Sequence, residues 1–88
     1  MARFDMPSTD CGALGVVVSG AMYFQLGLSY ATGRNVPLDR VTAHKWLNLA
    51  AREGVKEAAA MRRELAFEMT RDEIAAAQRA AREHLSIH

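Results

Sequence analysis

A single cysteine, Cys11, is all the sulfur-bridging capacity of this chain, so no internal disulfide can form. Secreted domains of this size usually carry several such staples, which directs the expectation to a reducing cytoplasm. No basic residue adjoins Cys11 to stabilise a thiolate, and it reads as a buried or idle thiol. Charge of one sign is also missing. Eleven Lys and Arg against ten Asp and Glu leave a net charge of +1, too little to grip a polyphosphate backbone, so nucleic acid is excluded as a partner. No glycine pattern follows a strand signal, which removes the phosphate-cradling loop of nucleotide enzymes.

Catalytic constellations are lacking too. No histidine lies near Cys11 in sequence. His44 falls two residues before Trp46 and reads as a half-exposed helix residue. His84 and His88 have the i, i+4 spacing of a helical metal pair but sit at the terminus, where chains fray. Glu53, Glu57, Asp72 and Glu73 read as helix-start and solvated-face charges. Arg62, Arg63, Arg71, Arg79 and Arg82 are interleaved with Glu64, Glu68, Asp72, Glu73 and Glu83, as on a solvated helix face. The expectation is therefore no enzyme, no catalytic residue, no metal, no cofactor and no small-molecule substrate.

Residues 11–31 contain no charge at all. That length could cross a bilayer, which needs roughly 20 apolar residues. Gly12, Gly15, Gly20, Gly27, Ser19, Gln25 and Ser29 interrupt it, and only Leu14 and Val16 to Val18 form a dense apolar run. A helix buried in protein on every side is the preferred account. A small membrane-associated protein anchored by 11–31 is the alternative.

What the chain does have is burial material and helix punctuation. Half of its residues are apolar and 24% are charged, the balance of a globular domain. Residues 1–18 read as an N-terminal arm, with Pro7 preventing a regular helix interior. Residues 11–18 stay open between strand and helix. A helix is predicted over 19–32, closed by Gly33. A second opens at the capping residue Asp39 and carries Ala43, Trp46, Leu47, Ala50 and Ala51 at three-and-four spacing. Gly54 ends it. A third is predicted over 56–68. Thr70 and Glu73 then form a capping box that opens a fourth, with Ile74, Ala77, Ala81 and Leu85 on one stripe. The fold class expected is all-α, a mini-solenoid of about four helices built on an antiparallel hairpin, in one domain over 19–88. Small residues, Gly27 and Ala43, are placed where the hairpin backbones meet, with Leu26, Tyr30 and Trp46 filling the volume left.

Residues 21–58 resemble a Sel-like repeat, a branch of the tetratricopeptide-like helical hairpins. The resemblance rests on Ala21, Leu26-Gly27, Tyr30, Gly33, Val36, Asp39, Ala43, Trp46, Ala50-Ala51, Gly54 and Ala58. It covers a little under half of the chain, and the residues from Met69 onward look like the tail that closes small bacterial proteins of this type. Nine arginines against two lysines agree with a bacterial source. The resemblance implies a non-catalytic protein–protein interaction module, an adaptor or accessory subunit of a larger complex. One full repeat stands where such arrays usually need about three, so an uncovered face should dock on another protein or on a second copy. The residues left over once the hairpin packs are the expected contact set: Phe4, Met6, Leu14, Val17, Val18, Met22 and Tyr23.

Overall fold

A computed structural model describes residues 20–87, all of them in helices or the turns that join them. The helices are α1 (Gly20–Thr32), α2 (Arg40–Arg52), α3 (Lys56–Ala66) and α4 (Arg71–Ile87). The arm and the open segment 11–18 lie outside the described residues.

Each helix boundary has a local cause. α1 closes where Gly33, at φ +75°, donates its N–H to the Ser29 carbonyl at 2.8 Å. α2 opens at Asp39, whose carboxylate accepts from the Thr42 N–H at 3.1 Å and from its hydroxyl at 2.8 Å. Gly54, at φ +99°, supplies the left-handed residue after α2. The capping box before α4 is reciprocal. The Thr70 N–H donates to Glu73 Oε1 at 2.8 Å, and the Glu73 N–H donates to Thr70 Oγ1 at 3.1 Å.

α3 is shorter than the sequence predicts, ending at Ala66 rather than Glu68. The N–H groups of Phe67, Glu68 and Met69 bond back only three residues, to Glu64, Leu65 and Ala66. That tighter spacing uses up the last carbonyls and delivers the chain to the Thr70 cap.

α1 and α2 form an antiparallel hairpin, as their register shows. Gly20 lies against Glu53 and Val55, Gly27 against Leu47, and the Asp39 N–H bonds to the Tyr30 carbonyl at 3.0 Å. α3 and α4 also pack chiefly on α2, which makes α2 the centre of the molecule. Leu47, Ala50 and Ala58 form the core, flanked by Tyr23, Phe24, Ala51, Val55, Met61 and Leu65. Ala77 and Ala81 are the buried residues of α4. Burying Leu47 and Leu49 fully contributes about 1.5–3 kcal/mol each.

Two expectations need correction. His44 is not half-exposed but 4% exposed, because α2 is covered on more than one face. Leu26 does not fill the hairpin interior, being 37% exposed; Tyr23 and Phe24 pack on the core from α1 instead. α1 is apolar nearly all round, so either face could have turned inward, and Gly27 meeting Leu47 selects the face with Gly20, Tyr23 and Phe24.

Candidate interaction surface

α1 presents two different faces. Gly20, Tyr23, Phe24 and Gly27 point to α2 and α3. Ala21, Met22, Gln25, Leu26 and Ser29 lie on the opposite side, where they line a shallow groove of about 340 Å³ with mostly apolar walls. Met22 is 51% exposed, and Leu26 follows it one helical turn later. Such i, i+4 pairs share one face of a helix.

The inner face is held by an aromatic cluster. Tyr23 stacks on Trp46 with ring centroids 5.6 Å apart and planes 24° apart. His84, from α4, meets both edge-on, at 5.7 Å from Tyr23 and 5.4 Å from Trp46. The Tyr23 hydroxyl lies 3.3 Å from His84 Nε2, and the Lys45 ammonium sits 4.4 Å from the Trp46 ring centre. These contacts join α1, α2 and α4, so the orientation of α1 is set from beneath. Offset stacking and edge-on packing are the favoured aromatic geometries, and a cation over an indole adds to them.

Of the contact set expected from sequence, the structure places Met22 and Tyr23 on different sides of α1. Met22 is in the outer groove, and Tyr23 is half-buried on Trp46. Phe4, Met6, Leu14, Val17 and Val18 lie outside the described residues. Leu26 joins Met22 in the groove, and the sequence reasoning missed it by assigning it to the interior. Phe67, at the C-terminal cap of α3, is 87% exposed and was also missed. Its signal was its position just before a capping box, where a helix must already have stopped.

A second, polar feature lies between α3 and α4. His44 and Asn48 from α2, Arg62 and Arg63 from α3, and Ile74 and Gln78 from α4 border a cleft of about 370 Å³. Arg62 Nη1 donates to Asn48 Oδ1 at 2.7 Å. His44 Nδ1 is buried without a hydrogen-bond partner. Burial, and secondly the positive charge of Arg62, hold the His44 imidazole below the ordinary value of 6.5, so it is kept neutral near pH 7.

Among the described residues no group of three or more His, Cys, Asp or Glu side chains is arranged to hold a metal ion. None of the helices described is long and apolar enough to cross a membrane. Comparison with protein-family models, curated proteins and solved structures gives no match to this chain, so the four-helix arrangement and its surfaces carry the functional reading.

Proposed function

We propose that this chain is a non-catalytic interaction module of the Sel-like type, which docks another protein or a second copy through the outer face of α1. The observation that carries the reading is the exposed Met22–Leu26 pair on a helix whose opposite face is pinned by Tyr23 and Trp46. A helix that exposes apolar side chains one turn apart is the shape that accepts a partner helix, with a few buried anchors supplying most of the affinity. The placement of Gly27 at the hairpin contact and the caps at Asp39, Gly33 and Gly54 support the Sel-like assignment. In that reading the partner covers the face that a neighbouring repeat covers in longer arrays. The balanced charge and the lone cysteine fit a cytoplasmic accessory subunit of a bacterial complex.

The test is the double variant Met22→Lys, Leu26→Lys. Both side chains are exposed, so helicity and melting temperature should stay close to wild type. Sedimentation velocity and quantitative capture from the native host should show the loss of a dimer or of a specific partner. An unchanged oligomeric state together with an unchanged set of captured proteins overturns the proposal.

A further inference from the structure

α3 and α4 each lean on α2, and the space between them forms the polar cleft. Its composition is one-sided. No Asp or Glu is among its lining residues, whereas two arginines are. Arg62 is half-buried and steadied by Asn48. That bond uses one of its five N–H donors. Among the described residues neither Arg62 nor Arg63 has a carboxylate within ion-pairing distance.

The same cleft is lined by His44, which carries the buried, unpaired polar side-chain atom found among the described residues. His44 is 4% exposed, and its Nδ1 is buried with no hydrogen-bond partner. Buried polar atoms are nearly always paired, and the residue that carries this unpaired one is also among those lining the cleft. Arginine forks match the flat, two-oxygen edge of a carboxylate or phosphate. Gln78 adds an amide, and Ile74 and Ala66 add an apolar wall suited to a short carbon skeleton.

We propose that the cleft bounded by His44, Arg62, Arg63 and Gln78 is a binding site for a small organic oxyanion, a carboxylate or a phosphate ester. The guanidinium groups of Arg62 and Arg63 neutralise its charge, Gln78 donates from α4, and the imidazole of His44 is the buried polar wall. Occupancy would bridge α3 to α4, which otherwise meet mainly through α2. This site is separate from the outer face of α1 and uses none of its residues, so either reading can fail without the other.

The experiment is a titration of the ¹⁵N-labelled full chain with succinate and, in parallel, with inorganic phosphate, at constant ionic strength balanced by sodium chloride. Saturable shifts are expected at the Arg62 side-chain N–H, the Gln78 amide and the His44 ring, with a rise in melting temperature. Stronger binding of succinate assigns the site to carboxylates, and stronger binding of phosphate assigns it to phosphate esters. Arg62→Gln should weaken binding about tenfold or more, the cost of one charge-assisted contact. Arg63→Gln and Gln78→Leu alter exposed side chains and keep the test valid should Arg62→Gln unfold. Failure of both probes to saturate overturns the proposal, as do identical titrations for wild type and Arg63→Gln.

Discussion

Gly27 lies so close to Leu47 that a Cβ on the glycine would stand 2.7 Å from Leu47 Cδ2 and 3.2 Å from the Leu47 amide nitrogen. Leu47 is fully buried, and its amide nitrogen, as backbone, cannot swing aside as a side chain can. Gly27→Ala should therefore destabilise the fold, by overpacking of about 1–3 kcal/mol set against about 1 kcal/mol of improved helix propensity. Gly27→Leu should be far worse, and Ala60→Leu, at an exposed position, should be close to neutral. Thermal melts read the difference at about 4–8 °C per kcal/mol for a domain of this size. Equal melting temperatures for Gly27→Leu and Ala60→Leu would remove the close-contact role.

Asp39→Ala should cost about 0.5–2 kcal/mol, because the first turn of α2 loses the acceptor for the Thr42 N–H. The Thr42 amide and hydroxyl hold the Asp39 carboxyl below its ordinary value of 3.8. A lowered folded-state value means this stabilisation is complete above 3.8 and fades as pH falls through the lower folded value. Asp39→Asn should keep much of the cap and lose that acid sensitivity. A wild type and an Asp39→Asn variant with parallel stability profiles in acid would show that the charged form contributes nothing.

His44 has the opposite pH signature. Its folded-state value lies below 6.5, so the unfolded chain binds a proton that the native chain resists. The native state therefore loses stability as pH falls below 6.5 and loses no more once pH is under the lowered folded value. His44→Leu removes this dependence, and its stability relative to wild type should rise on acidification. Chemical denaturation across that range checks it. A constant difference between the two proteins would mean that His44 takes up its proton alike in the folded and unfolded chain.

The aromatic cluster makes a graded prediction. Tyr23→Phe keeps the stack on Trp46 and loses the hydroxyl contact with His84, a change of about 0.5–1.5 kcal/mol. Trp46→Ala removes the ring that both Tyr23 and His84 touch and should approach 3 kcal/mol. Glu68→Ala breaks an exposed pair with Arg40 at 3.3 Å and should shift stability by less than about 1 kcal/mol. If Glu68→Ala proved as damaging as Trp46→Ala in thermal melts, the turn before α4 would matter as much as the cluster, against this ranking.

The parts of this fold legible in the sequence are those with local causes. Asp39, Gly33, Gly54 and the Thr70–Glu73 pair act within a turn of themselves, and each is found where the spacing places it. Gly27 was legible because a glycine inside an apolar helix has few reasons to be there except close contact. What could not be read was how many sides of each helix are covered. A stripe at three-and-four spacing marks one buried face of α2, yet α3 and α4 also pack on α2, and His44, beside them, is interior. A histidine does not register as core in such a pattern. α1 poses the converse difficulty, since an all-apolar helix does not announce its outer side, and Leu26, expected inside, is exposed. The polar cleft was illegible for a related reason: His44, Arg62 and Gln78 meet only through three helices.

The arrangement of three helices around α2 also bears on how the native state opens. α3 and α4 share little surface, so either can lift away while the other stays seated. α2 has no such freedom, because releasing it exposes the packing of α1, α3 and α4 together. Amide exchange should therefore divide the molecule: protons near the middle of α2, around Leu47, leave only with complete unfolding, while those of α3 escape through smaller, separate fluctuations. The thirteen residues of α2 would then set the kinetic lifetime of the whole domain.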